Sequence, residues 1–225
     1  MGRRFAELAF TPLVKEEQKV HGSRHLYERV EHSHDLGDRL GPDEQAFIGE
    51  RDGFYMASVT ETGWPYIQYR GGHIGFIHIV DDRTIGFADL RGNRQYISTA
   101  NLKHDDRVAL FFMDYPTQSR LKVMGRAKIY EGDAEAEELI KSLRVPEEKT
   151  PVERAFVIHV EAFDWNCQQH ITPRYSEVEL TKILEPMRHR LEALEAENRR
   201  LKAEVSLRAR FRSPTGLREN EPNKK

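Results

Sequence analysis

Between Phe54 and Phe163 the chain is a succession of short apolar or alternating runs separated by tight turns, and this spacing limits the folds open to it. Phe54-Tyr-Met-Ala-Ser-Val-Thr reads as a strand, Glu61-Thr-Gly-Trp-Pro as a turn, and Tyr66-Ile-Gln-Tyr-Arg as the returning strand of a hairpin. A second hairpin follows at once: Gly75-Phe-Ile-His-Ile-Val, a turn at Asp81-Asp-Arg, and Thr84-Ile-Gly-Phe-Ala. Arg107-Val-Ala-Leu-Phe-Phe-Met is almost wholly apolar, as a central strand buried on both faces would be. Leu121-Lys-Val-Met-Gly-Arg-Ala-Lys-Ile-Tyr alternates over a length suited to a curving strand, with Gly125 as its bend, and Glu153 to Phe163 reads as the last strand. Short helical patterns lie at Pro42–Arg51, near 93–102 and at Ala134–Leu143. Such strands, with helices inserted late, predict a mainly β (α+β) antiparallel barrel, closed or nearly so, rather than a doubly wound sheet.

At 225 residues the chain can bury one real core with some length left for an extension. Its 35 basic and 37 acidic residues leave a formal charge of −2, which argues against non-specific nucleic-acid binding, so any anion site must be local. The single cysteine, Cys167, cannot form an intrachain disulfide, and no apolar window has the length of a membrane span. A soluble cytoplasmic protein is expected, without nucleic-acid or membrane partners. No GxGxxG, P-loop, HExxH or CxxC occurs.

Four segments follow from these patterns. Residues 1–40 read as a polar N-terminal arm, 41–176 as the barrel, 177–211 as a C-terminal helix and 212–225 as a disordered tail. Histidines 21, 25, 32 and 34 fall in the arm, but no acid or cysteine completes a ligand pattern, so no metal is assigned. In the helix, Leu184, Leu191, Asn198 and Val205 take heptad position a, and Met187, Leu194 and Leu201 take d. An Asn at a favours two parallel strands, and Arg190–Glu195 and Glu197–Lys202 fall at g and the following e. A parallel coiled coil is favoured over one amphipathic helix packed on its own barrel.

Chemistry concentrates where Thr84-Ile-Gly-Phe-Ala runs into Asp89-Leu-Arg-Gly-Asn-Arg and then into a helical pattern with Tyr96 and Ile97. Exposed N–H groups at a helix start and an Arg fork favour an anion there. Arg70 closes the strand just upstream and Arg120 opens one downstream, so these three elements are expected to build one anionic-ligand site.

Four motifs in this order, Gly63-Trp-Pro-Tyr-Ile-Gln-Tyr-Arg-Gly-Gly, Phe87-Ala-Asp-Leu-Arg-Gly-Asn-Arg-Gln, Asn101-Leu-Lys-His-Asp-Asp-Arg-Val-Ala-Leu-Phe-Phe and Arg120-Leu-Lys-Val-Met-Gly-Arg-Ala, resemble the pyridoxamine 5'-phosphate oxidase-like flavoproteins over about residues 42–175. The resemblance implies a split β-barrel homodimer with FMN in a cleft between subunits. It implies that Gln68, Tyr69, Arg70 and Gly71 lie along the isoalloxazine and ribityl chain, with Phe87 and Ala88 at the end of the next contacting strand. Asn93 and Arg94 match the pair on the flavin phosphate, where the family usually has Arg-Lys, so either Arg70 or Arg91 compensates for the missing charge or the phosphate is held more weakly. Arg120 stands where the oxidase has a Gln reaching the flavin from the neighbouring subunit, and a cation there would stabilise reduced, anionic flavin.

Two departures bear on the reaction. His73 replaces a Lys that contacts the oxidase substrate's phosphate, and the ending Trp165-Asn-Cys-Gln-Gln-His-Ile-Thr-Pro-Arg-Tyr resembles relatives of unassigned substrate. His73, His170 and Arg174 are the substrate-side candidates, although a structural role suits either histidine. Cys167 has no adjacent base and reads as a small buried hydrophobe. The expected function is an FMN-dependent oxidoreductase passing a hydride through flavin N5 on a small substrate. The alternative is a non-catalytic FMN- or haem-binding or sensing protein, with an axial ligand from His73, His78, His159 or His170, that recruits a partner through its coil.

Overall fold

The computed structural model describes residues 1–165 and 169–212, with side chains as far as residue 209. Cys167 and residues 213–225 therefore lie outside the described residues. The chain divides into two compact units, Met1–Pro173 and Arg174–Lys225.

The first unit begins with three short helices, α1 (Arg3–Ala9), α2 (Pro12–Val20) and α3 (Arg24–Glu31), where a weakly patterned arm was expected. Local signals make them: Thr11 accepts from the Val14 amide and Pro12 occupies the first turn of α2. The apolar spacing was too sparse to reveal them, since Phe5 and Ala6 are the only buried apolar residues on α1. Amides of Arg3 and Arg4 donate to the Asp35 and Leu36 carbonyls at 3.0 and 2.9 Å. Here Gly2 crosses Gly37 so closely that a Cβ at Gly2 would sit 2.4 Å from the Gly37 Cα.

Next come α4 (Pro42–Gly49), β1 (Gly53–Val59), β2 (Pro65–Gly71), β3 (Ile77–Asp81), β4 (Thr84–Leu90) and α5 (Ile97–His104). They are followed by β5 (Arg107–Asp114), β6 (Ser119–Tyr130), α6 (Ala134–Leu143) and β7 (Val152–Trp165). All seven strands join one antiparallel sheet in the order β2-β1-β5-β6-β7-β4-β3, open between its two edge strands. The mainly β, α+β class matches the expectation from the strand spacing. Phe54, Met56, Phe87, Leu110, Phe112, Leu121, Phe156 and Ile158 fill the core on the inner face. Phe87 and Phe156, partners across β4 and β7, stack with centroids 5.1 Å apart. At Gly125 the β6–β7 register shifts, and a Cβ there would meet the His159 carbonyl oxygen at 2.5 Å, so the bend needs glycine.

One expectation is corrected. β5 is covered on one face only: Val108, Leu110 and Phe112 are buried, whereas Ala109, Phe111 and Met113 alternate outward. Apolar residues occupy both faces because the outer one, with Tyr55, Ile67 and Tyr69 on the neighbouring β1 and β2, forms a further apolar surface.

The second unit carries α7 (Glu177–Arg212), which contains Pro186. Ser176 and Glu179 cap its start reciprocally: the Glu179 carboxylate accepts from the Ser176 amide at 2.7 Å, and Ser176 Oγ accepts from the Glu179 amide at 3.2 Å. No helix among the described residues is long and apolar enough to cross a membrane.

Candidate functional site

Alternation along β2 sends Tyr66, Gln68 and Arg70 to the inner side of the sheet, where they face the end of β4 and the start of α5 across a cleft. Asp89, Gly92, Asn93, Arg94, Tyr96, Ser98, Thr99, Glu153 and Arg154 complete the lining. The turn after β4 carries two left-handed residues, Arg94 at φ 62° and Tyr96 at φ 55°. These are costly conformations for side chains of this size. Asn93 supports the turn by accepting the Gln95 amide at 3.2 Å. The first bond of α5 runs from the Ala100 amide to the Tyr96 carbonyl, and no side chain caps the helix. Three amides, those of Ile97, Ser98 and Thr99, are therefore left without helical partners at the cleft.

Charge in the cleft is layered. Arg70 is bonded to Asp89, and its guanidinium lies 5.1 Å from the centroid of the Phe156 ring. Directly opposite Asp89 in the β4–β7 register stands Arg154, 6 % exposed. Arg154 donates to Thr99 Oγ1 and to Glu153, both at 2.9 Å. It also approaches Asp89 at 3.6 Å and Glu131 at 3.1 Å, and its guanidinium lies over the Tyr96 ring at 4.8 Å. Burial pushes the Asp89 carboxyl up and the Arg70 guanidinium down, and the attraction between the two opposes both shifts. Three arginines line the cleft against two carboxylates, and Glu131, outside the lining, is a third carboxylate held by Arg154. The Nε of Arg70 is buried without a hydrogen-bond partner among the described residues, whereas that of Arg154 faces the Glu131 carboxylate at 3.1 Å. At the rim Arg94 donates to the Tyr96 hydroxyl at 3.1 Å, and Ser98 donates to the Gln68 side chain at 2.8 Å.

Of the residues singled out in the sequence, Gln68, Arg70, Asn93 and Arg94 meet in this cleft. Tyr69 and Gly71 belong to the opposite phase of β2. Phe87 is 1 % exposed within the core, and Ala88 points the other way, against Leu143 and Ala155. Arg120 pairs with Met113 at the start of β6 and does not line the cleft of its own chain, although its Nε is buried without a partner. His73 occupies a small neighbouring crevice with Phe76, Val145 and Glu148, its Nε2 4.0 Å from the Glu148 carboxylate. His170 is exposed at φ 66°, and Arg174 opens the second unit. No group of three metal-ligating side chains occurs among the described residues.

Sequence reasoning passed over Glu153, Arg154, Ser98 and Thr99 as site residues. A signal existed for Arg154, which is in phase with the buried Phe156, Ile158 and Val160, as Asp89 is with Phe87 and Ile85. A charged residue in phase with the core must be paired there.

A family model described as pyridoxamine 5'-phosphate oxidase matches residues 40–166. No curated protein matches the chain. Among solved structures, HupZ from Group A Streptococcus is similar at 18 % identity and a TM-score of 0.45, covering 60 % of this chain and 99 % of its own. A protein related to general stress protein 26 from Clostridium acetobutylicum aligns at 14 % identity and 0.42, over 58 % and 88 % of the two chains. An FMN-binding protein from Syntrophomonas wolfei aligns at 15 % identity and 0.40, over 68 % and 95 %.

Proposed function

Because the chain belongs to the pyridoxamine 5'-phosphate oxidase family, we propose that its cleft binds FMN and that the protein is an FMN-dependent oxidoreductase acting on a small substrate. The observation that carries this reading is the uncapped start of α5, whose three free amides lie beside Arg94 in a cleft with more arginines than carboxylates. A phosphate is the group such an arrangement suits, since it accepts from backbone amides and from a guanidinium fork together.

The residues present fit the cofactor. Arg94 and the amides of α5 would hold the phosphate, with Asn93 shaping the turn that presents them. Gln68 and Arg70, on the strand across the cleft, would face the ribityl and ring portion. Bound FMN would supply the redox chemistry, taking up a hydride at N5. The chain's own part is to bind, orient and exclude water.

The homodimer belongs to the same proposal. Tyr55, Ile67 and Tyr69 give the outer face of β1 and β2 an apolar surface that is 36–63 % exposed, and a second copy is the partner that would cover it. β2 carries the cleft on one face and this surface on the other, which would join cofactor binding to dimerisation.

The test is the absorption spectrum and released-cofactor mass of the protein purified without added ligand, followed by titration with FMN. Bound or readily restored FMN is the expected result, and screening for donors that bleach the flavin then addresses the reaction. A Soret band, or folded protein that takes up no FMN, would overturn the reading.

A further inference from the structure

The exposed seam of α7 points beyond the flavin site and does not depend on it. Thirty-six residues of helix reach about 54 Å at 1.5 Å per residue. Along them Leu180, Leu184, Met187, Leu191, Leu194, Leu201 and Val205 are 43–67 % exposed and form an apolar stripe. Leu180 stands four residues before Leu184 and adds a d position to the heptad frame, which then runs from Leu180 to Val205 with Asn198 as its one polar member. Pro186 falls at position c, so its missing N–H and its ring lie on the outward side, away from the stripe.

The charges beside the stripe complement those of a second copy of it. Arg188 reaches Glu185 and Glu192 of its own helix, and Arg199 and Arg200 reach Glu195 and Glu197 at 3.9 and 4.0 Å, the long edge of an exposed ion pair. Arg190 and Lys202 make no such pair among the described residues. Those two cations occupy g and e, and the residues that a parallel, in-register copy would bring to them are Glu195 and Glu197. Leu191, Leu194, Asn198 and Lys202 border an open groove of about 700 Å³ along the helix, which the facing knobs of such a copy would fill. We propose that α7 pairs with α7 of a second copy of this chain as a parallel two-stranded coiled coil, with Asn198 opposite Asn198 setting register and Arg190–Glu195 and Glu197–Lys202 pairing between chains.

Disulfide capture in the full-length protein tests this. Leu201→Cys lies near one end of the seam, so two copies meet at that position only in a parallel, in-register pair. Arg200→Cys, at outward position c, is the control, and the unchanged chain reports any background from Cys167. Mild oxidation is expected to yield a covalent dimer through position 201 and little through 200. Adding Arg190→Glu should slow the capture about tenfold, and adding Glu195→Arg as well should restore it. Arg190 has no ion pair on its own helix, so rescue at 195 reads an interchain contact. Equal capture at 200 and 201, no capture at 201, or a charge reversal that Glu195→Arg does not rescue would each overturn the proposal.

Discussion

Arg70 and Arg154 lie on the inner side of the sheet, and Arg4, Arg107 and Arg126 gather on its outer face, so the molecule offers two arginine clusters for comparison. The outer cluster is closed and solvated. Arg126 bonds to Asp106 at 2.7 Å and to Glu161 at 3.1 Å, Arg4 reaches Glu161 and Glu7, and Arg107 forks onto Asp105. Arg107 and Arg126 are 70 % and 52 % exposed, so water competes for every contact and each pair stabilises the fold little. The inner cluster is buried and still open. Its cations hold Asp89, Glu153, Glu131 and Thr99, yet the Arg70 Nε and three amides at the start of α5 have no partner among the described residues. The number of arginines does not distinguish a binding site from a surface network; buried donors in excess of acceptors do.

The largest effect should follow from Arg70→Met. It leaves Asp89 buried with half of its charge compensation, a cost of about 3–5 kcal/mol in unfolding free energy, measurable by urea denaturation. Arg126→Met on the outer face should leave the urea midpoint almost unchanged, and equal losses at the two sites would break the comparison. Arg94→Ala sharpens it differently. Arg94 sits at the exposed rim, so the variant should fold as well as the parent but bind FMN about tenfold more weakly, as read by flavin fluorescence titration. Unchanged affinity would remove Arg94 from the phosphate site.

The smallest effect belongs to the outer cluster and depends on pH. The Arg4 bond, with further help from Arg126 and against some burial, holds the Glu161 carboxyl below the usual glutamate range. Because the folded value is depressed, its contribution is complete above the unfolded pKa of about 4.3 and is lost as pH falls through the lower, folded value. Acidification through that window should loosen α1, seen as faster hydrogen exchange of its amides, and Glu161→Gln should abolish the step. The same acid step in the Gln variant would assign it to another group.

Much of the sheet was legible because alternation and turn chemistry are local. The hairpin pairs around Glu61–Pro65 and Asp81–Arg83 and the Gly125 bend stand where residue types demand them. The facing of β5 was not legible, since an apolar run looks the same whether its second face meets a core or a subunit surface. Part of the cleft was readable from Gln68, Arg70, Asn93 and Arg94, which cluster near glycines at strand ends. Arg154 was marked only by its phase with the buried Phe156, because its role depends on which strand becomes the neighbour of β4, and that pairing joins residues 65 positions apart: Asp89 with Arg154. Phe87 is a motif position whose side chain is taken up by packing against Phe54 and Phe156.

The most direct measurement compares FMN with riboflavin, which lacks the phosphate, by equilibrium titration of the unmodified protein. A cleft that recognises phosphate through the α5 amides and Arg94 predicts that FMN binds at least about tenfold more tightly than riboflavin. Equal affinity for the two, or no binding of either by folded protein, would contradict the account.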